Sequence, residues 1–280
     1  MKKWVKKALQ NIYVINNSEK VAFISDMHLG ISDNADESLN VQHIIFWALK
    51  YYLRNDYTVV LLGDTWEMAE NHNIEKIKNA HDDIMWAFEE LDKEKRLIIV
   101  KGNHDYKLDH NLLKERTSQY DGKVISFLSE NNPIVDSVAL GDNIIALHGH
   151  QYFFRYNGFL NKLLVLFGPL WKWYQLHCKD FHITEHTGWQ DADNCQKYFN
   201  QLGEESDKTF IIGHTHKSSF KLSNLRDAGS FGCMPRCCTA VEVTSDGGIE
   251  TIKFAEYAND NGQLQIIRTK IDYPLDEGDK

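Results

Sequence analysis

Proline and long hydrophobic runs are scarce in this 280-residue sequence. It has only 4 Pro, and its apolar stretch at 163–171 is far short of the roughly 20 residues that cross a bilayer. The 5 Cys are an odd number at scattered positions, which indicates reduced thiols in the cytoplasm rather than a disulfide framework. With 42% hydrophobic residues, the composition also excludes disordered and collagen-like classes. We therefore expect a folded cytoplasmic protein.

Excess positive charge is also lacking. The chain has 31 Lys+Arg against 40 Asp+Glu, a formal net charge of -9. A surface that gains affinity by displacing counterions from nucleic-acid phosphates needs the opposite sign. The lysines near the N-terminus are followed by no apolar segment of a secretory signal, and we expect neither a cleaved signal nor an extended nucleic-acid partner.

Five short apolar runs have the length and β-branched content of buried strands. They lie at 21–24, 58–62, 96–100, 143–147 and 209–212. Apolar residues at helical spacing in 38–54 and 74–91 predict helices between the first three runs, and this alternation is typical of a largely parallel sheet. Beyond residue 239, runs at 240–244, 249–254 and 264–271 predict hairpins in a second, antiparallel region.

Polar clusters follow each of the five predicted strands. Carboxyl ends of strands in an α/β sheet face one crevice, so these clusters are expected to converge. The candidate metal ligands among them are Asp26, His28, Asp64, Asn103, His148, His214 and His216. One such cluster alone is as well explained as a helix cap or a satisfied core group, but five predict a metal site. A bridging carboxylate such as Asp64 would allow two divalent ions about 3.5–4 Å apart.

The order of these blocks resembles the calcineurin-like metallophosphoesterase family. The blocks are Asp-x-His from Asp26, Gly-Asp-x-x-Glu from Gly63, Gly-Asn-His-Asp from Gly102, His-Gly at His148 and Gly-His-x-His from Gly213. The resemblance implies a fold in the α/β class, a four-layer α-β-β-α sandwich, here as one domain over 1–280. It also implies a ligand set for each metal: Asp26, His28, Asp64 and His216 for one, and Asp64, Asn103, His148 and His214 for the other.

The same resemblance implies hydrolysis of a phosphodiester, pyrophosphate or phosphomonoester. Two divalent ions would supply a bridging hydroxide near neutral pH. Ligands without thiolate favour Mn²⁺, with Fe or Zn as alternatives. His104 matches the family position that contacts the phosphate and protonates the leaving oxygen. A neighbouring carboxylate would raise the basicity of this histidine, and we favour Glu67 over Asp105 because Glu67 stands at the family position that pairs with it.

The segment 151–207 is predicted to be a helical cap inserted into the domain. Its first part is dense in large apolar residues and has only Arg155, Lys162 and Lys172 as charges, while Gly168-Pro169 predicts a break into two helical pieces. The cap is either a structural cover of the core or an apolar surface for acyl chains or a membrane.

The insertion also resembles UDP-2,3-diacylglucosamine pyrophosphohydrolase-like proteins, although His104 and His150 replace the Arg and Asp of their motifs. We therefore expect a small-molecule substrate, either lipid-linked or a nucleotide sugar, and peripheral contact with a membrane through the cap, whereas the sequence identifies no protein partner. Phosphoprotein phosphatase or nuclease activity on the same site is the alternative.

Two further patterns carry weaker signals. Residues 182–186 spell the H-x-x-E-H pattern of some zinc peptidases, which we interpret as a polar helix face or as substrate-pocket histidines. Cys233, Cys237 and Cys238 lack a second closely spaced pair, and small buried thiols are the preferred interpretation.

Overall fold

The computed structural model describes residues 1–16, 19–105, 107–117, 122–153, 155–177, 189–218, 222–232, 238–259 and 261–271. Its helices are α1 (Lys3–Ala8), α2 (Gln42–Arg54), α3 (Ile74–Ala80), α4 (Asp82–Lys93), α5 (His110–Leu113), α6 (Gly158–His177) and α7 (Trp189–Ser206), with a 3-10 turn at His150–Tyr152. The first seven strands are β1 (Ile12–Ile15), β2 (Lys20–Ile24), β3 (Tyr57–Leu62), β4 (Leu97–Val100), β5 (Glu115–Thr117), β6 (Val124–Ser126) and β7 (Ile134–Val135). The others are β8 (Ser137–Leu140), β9 (Ile144–Ala146), β10 (Thr209–Ile212), β11 (Leu225–Asp227), β12 (Thr239–Val243), β13 (Ile249–Ala258) and β14 (Leu264–Lys270).

Most of these strands form two sheets. The larger has the order β14-β13-β12-β2-β3-β4-β7 and the smaller has the order β1-β8-β9-β10-β11, while β5 and β6 pair separately. Strands β2, β3, β4 and β7 run parallel, as do β9, β10 and β11. The five predicted strands are therefore divided between two sheets, and the crevice lies where the carboxyl ends of both sheets meet.

Both faces of the central strands are buried, which explains why their sequences are continuously apolar. In β2, Val21 and Phe23 contact the smaller sheet, while Ala22 and Ile24 face α2, α3 and α4. On the opposite outer face, α1 and α7 pack against the smaller sheet. These layers confirm the predicted α-β-β-α sandwich.

The predicted helix at 74–91 is wrong in one respect, because it is two helices. His81 separates α3 from α4 with φ of -130° and ψ of 48°, and its buried Nε2 lies 3.1 Å from Asp36 Oδ2. Ile77 and Ile84 enter the same core on either side of this break, so the apolar spacing continues across it.

The C-terminal hairpins are also placed differently from the prediction. Strand β12 pairs antiparallel with β2, with Val241 opposite Phe23, so the hairpin strands extend the larger sheet instead of forming a second region. The sequence did not predict short strands such as β1, β8 and β11, because three or four residues are too few to show an alternation of apolar and polar side chains.

Candidate metal centre

The predicted ligands stand in short loops directly after β2, β3, β4, β9 and β10. Glycines let these loops approach one another closely. A Cβ atom on Gly102 would lie 2.0 Å from Asp64 Oδ1, and one on Gly213 would lie 1.8 Å from Ser25 Oγ. The Gly-Asn-His and Gly-His-x-His patterns therefore have a steric reason, since any side chain there would push the strand ends apart.

Five of the seven predicted ligands adopt a left-handed backbone conformation. Their φ angles are 54° at Asp26, 47° at His28, 51° at Asp64, 68° at His214 and 52° at His216. Such conformations cost of order 1–3 kcal/mol each in residues other than glycine, and they persist where the surrounding structure enforces them. The strain is concentrated at the ends of the strands, where it turns the side chains into the crevice.

The first ligand group contains Asp26, His28 and His216, whose ligand atoms lie within 4.8 Å of one another. Asp26 Oδ2 accepts hydrogen bonds from Ser25 Oγ at 2.5 Å and from the His214 backbone N–H at 2.8 Å. Its Oδ1 lies 3.1 Å from His216 Nε2 and 3.7 Å from His28 Nε2. One oxygen of Asp26 is thus fixed by protein donors while the other faces the two imidazoles.

The second group contains Asp64, His148 and His214, again within 4.8 Å. His148 Nδ1 donates to the Leu62 carbonyl at 2.8 Å, which turns Nε2 toward Asp64 Oδ2 at 3.0 Å. Asp64 Oδ1 accepts from the His104 backbone N–H at 2.8 Å. His148 Nε2 is also 3.9 Å from Asp26 Oδ1, so the two groups adjoin.

Asn103 completes the predicted set. Its Oδ1 is buried and accepts no hydrogen bond from the residues that the structure describes. A buried amide oxygen without a donor costs about 1–3 kcal/mol, which coordination of a cation would offset. This orphaned oxygen beside two His/carboxylate groups fits a pair of divalent cations.

The charges of the centre are strongly coupled. Burial would raise the pKa of Asp26, but His148 and His216 outweigh it and hold that pKa well below its usual range. Burial lowers the pKa of His148, yet Asp64 and Asp26 raise it to about 9. Burial and the neighbouring His148 keep the pKa of His214 well below its ordinary value. The centre is therefore a dense anionic cluster that is balanced by protonated imidazole, and a bound cation would displace those protons.

Glu67 joins two of the predicted functional histidines. Its Oε1 lies 2.7 Å from His104 Nδ1 and its Oε2 lies 2.7 Å from His28 Nδ1. Burial lowers the pKa of His104, but the Glu67 and Asp64 carboxylates outweigh burial and raise that pKa to about 10. Both rings are thereby oriented with Nε2 toward the crevice, as carboxylates orient histidine ligands in metal sites.

Asp105 occupies a different position from Glu67. Its carboxylate accepts backbone N–H bonds from Trp66 at 3.0 Å and from Gly102 at 3.2 Å, and it is fully buried. The bond from Trp66 ties the loop after β4 to the loop after β3, while the bond from Gly102 closes the loop after β4 on itself. The geometry places Asp105 beneath the site, whereas Glu67 is the carboxylate that contacts the His104 ring.

The described residues of the predicted cap contain two helices at different places. Helix α7 packs in the outer layer, with Cys195 and Phe199 buried against β10, whereas α6 contacts the loops of the site. Asn161 Nδ2 donates to the Asn103 carbonyl at 3.2 Å, and a Cβ atom on Gly168 would be 2.0 Å from the Ala69 carbonyl oxygen. Helix α6 thus rests on the loops that carry Asn103 and Glu67.

One prediction about this segment is wrong. Gly168-Pro169 does not divide it, because α6 is one helix of 20 residues with Pro169 inside it. Lys172, one of the three basic residues of this segment, is buried: its Nζ lies 2.7 Å from Asp33 Oδ2, and it also bonds Asn71. The 182–186 pattern and Cys233 and Cys237 lie outside the described residues, while Cys195 and Cys238 are buried.

Sequence reasoning did not assign a role to Ser25 or to the Leu62 carbonyl, although both orient ligands. The hydroxyl of Ser25, next to Asp26 in sequence, was the one available signal. The second bond of Glu67, to His28, has no signal in the sequence, because it depends on how the loops after β2 and β3 pack.

A centre with these donors at the joined carboxyl ends of two sheets is typical of metal-dependent hydrolases. Residues 19–218 match the family model described as calcineurin-like phosphoesterase, and the chain belongs to that family. It is accordingly a metallophosphoesterase.

Several solved structures are similar to the chain, and they include the following two. One is a conserved uncharacterized protein from Streptococcus pneumoniae TIGR4, described as a predicted phosphoesterase, with 15% identity, a TM-score of 0.33, and coverage of 90% of this chain and 98% of that one. The other is Vps29 from Chaetomium thermophilum, with 10% identity, a TM-score of 0.39, and coverage of 91% and 96%. Among curated proteins, no sequence matches. The family match alone therefore carries the assignment.

Proposed function

We propose that the protein hydrolyses a phosphodiester, pyrophosphate or phosphomonoester bond of a lipid-linked small molecule at the cytoplasmic surface of a membrane. No described helix is long and apolar enough to span a bilayer. Contact would therefore be peripheral and would involve α6.

The observation that carries this proposal is the outer face of α6. Leu166, Leu170 and Trp173 follow one another at helical spacing and are 65%, 64% and 55% exposed, and Phe167 beside them is 59% exposed. The opposite face of the helix holds the loops of the metal centre. An exposed apolar strip of this kind is unusual on a soluble surface and suits acyl chains or the membrane interface.

The residues of the chain have distinct roles in this proposal. Asp26, His28, Asp64, Asn103, His148, His214 and His216 would hold two divalent ions, for which we propose Mn²⁺. Bound there, the ions would neutralise phosphoryl charge and supply hydroxide. His104, whose Nδ1 lies 2.7 Å from Glu67 Oε1, would donate a proton to the leaving oxygen. Because α6 lies against the loops of the metal centre, the proposal disfavours protein substrates, which need an open groove.

The test compares kcat/KM for a small chromogenic phosphodiester and for an acylated phosphoester, with Mn²⁺ present. In the variant L166S/F167S/L170S we expect at least about a tenfold loss on the acylated substrate and little change on the small one, since each fully buried apolar side chain contributes about 1.5–3 kcal/mol. Binding to phosphatidylcholine vesicles should weaken in parallel.

A matched control changes three equally exposed apolar residues on β1, β6 and β14, in the variant V14S/V124S/L264S. It should retain both activities and vesicle binding. Equal losses on both substrates, or no loss on either, would mean that α6 is a structural cover and would remove the lipid part of the proposal.

A further inference from the structure

A cavity of about 390 Å³ opens beside the predicted metal ligand Asn103. It lies between α1, the loop after β4 and the start of α6. Its charged lining consists of three lysines and one aspartate: Lys7, Lys101, Lys162 and Asp136. In a chain with a net charge of -9, this concentration of positive charge at one place beside the site is notable.

The three ammonium groups have no anionic partner in the part of the chain that the structure describes. Ion pairs hold lysines elsewhere, such as Lys93 with Glu90 and Lys217 with Asp193. No described carboxylate oxygen lies within 4.0 Å of the Nζ atoms of Lys7, Lys101 or Lys162. Like charges around one cavity repel, and an anion bound among them would relieve that repulsion.

The backbones that carry these lysines are fixed. Val5 of α1 is fully buried, and the Lys2 backbone N–H donates to Tyr198 Oη at 2.8 Å, which docks the helix of Lys7. The Lys101 backbone N–H donates to the Val135 carbonyl at 3.0 Å. Lys162 follows Asn161, whose amide bonds the Asn103 carbonyl. The cavity is thus a preformed feature.

A second, smaller opening contains residues of the metal centre itself. It is lined by His28, His104 and His216 together with Glu37, Glu67 and Glu70, and none of its described lining residues is a lysine or an arginine. The lysine side chains beside the centre therefore belong to the larger cavity, on the side of Asn103.

We propose that Lys7, Lys101 and Lys162 bind a second phosphate of the substrate while the reacting phosphoryl group lies at the metal centre. The substrate class is then a phosphoanhydride or a bisphosphorylated molecule. This inference rests on the proposed phosphoesterase function and adds the requirement for a second anionic group.

The experiment uses titration calorimetry of the Mn²⁺-loaded full chain with inorganic phosphate and with pyrophosphate. In K7Q/K101Q/K162Q we expect the Kd of pyrophosphate to rise at least about tenfold, because charge-assisted contacts to its second phosphate are removed. The Kd of inorganic phosphate, which binds at the metal centre alone, should change less than about twofold. The control K3Q/K76Q/K197Q changes the net charge equally at exposed lysines outside the cavity and should behave like the unmodified protein.

Three outcomes would overturn the inference: equal weakening of phosphate and pyrophosphate, equal weakening in the control, or unchanged pyrophosphate binding. Loss of binding to vesicles that contain phosphatidic acid, with pyrophosphate binding retained, would also overturn it and assign the lysines to a lipid head group. A different result would contradict the proposed function itself: the unmodified, Mn²⁺-loaded protein cleaves no small phosphoester.

Discussion

The metal centre and helix α6 are in contact, yet different forces hold them in place. The ligand loops end strands that are buried on both faces, and hydrogen bonds such as His214 N–H to Asp26 Oδ2 lock their left-handed turns. Helix α6 is held by isolated contacts at Asn161, Gly168 and Lys172, and its apolar strip faces solvent. Under the proposed function, we expect changes in the centre to affect metal content and rate, and changes in α6 to affect the choice of substrate.

The largest effect is expected for Asp64→Ala. This change removes the carboxylate that is predicted to serve both ions, each of which supplies several kcal/mol of charge stabilisation. We expect metal content to fall from two ions per chain to one or fewer and turnover to become unmeasurable. Metal analysis with an activity assay checks both, and Asp142→Ala, at an exposed position, is the control.

Retention of two ions by Asp64→Ala would contradict the bridging role. Asp26 would then be the better candidate, because its Oδ1 lies within 4 Å of His28, His148 and His216.

A smaller effect is expected for His104→Ala. Since His104 is oriented by Glu67 and is not among the predicted ligands, metal content should stay at two ions while kcat falls by about 10²–10⁴-fold. Measured kcat together with metal analysis distinguishes the roles. A loss of metal would make His104 a ligand, as its position in the His28, Glu67 and His104 group also allows geometrically.

The sequence predicts the centre far better than α6, for a physical reason. Each of the five central strands is a continuous apolar run with polar residues at its end, and this pattern is local. The predicted runs match the observed strands to within one residue at each end, as at β2 and β10. The division of these strands between two sheets depends on pairing of distant segments, β2 with β3 in one sheet and β9 with β10 in the other, which no local pattern shows.

Helix α6 shows what local patterns miss. A Gly-Pro pair usually interrupts a helix, but here tight packing of Gly168 on the Ala69 carbonyl accompanies an unbroken helix. The burial of Lys172 follows from its ion pair with Asp33, which is distant in sequence. Tertiary contacts of this kind determine the faces of α6, and spacing alone could not identify them.

The smallest effect on rate is expected for Gly168→Ala, which tests whether α6 and the centre are separable. Alanine favours helix by up to about 1 kcal/mol over glycine, but the new Cβ would lie 2.0 Å from a backbone carbonyl oxygen. Overpacking of this kind costs typically about 1–3 kcal/mol, so the clash outweighs the propensity and α6 should lift from the loop. We expect faster amide hydrogen exchange in α6. For a small phosphodiester, kcat/KM should stay within about threefold of the value for the unmodified protein, because the lost contact lies away from the reacting atoms. Leu170→Ala, on the exposed face of the same helix, is the control and should leave exchange in α6 nearly unchanged. If the small substrate instead loses activity as strongly as in His104→Ala, then α6 positions Glu67 through Ala69 and Glu70, and the helix and the centre form one unit.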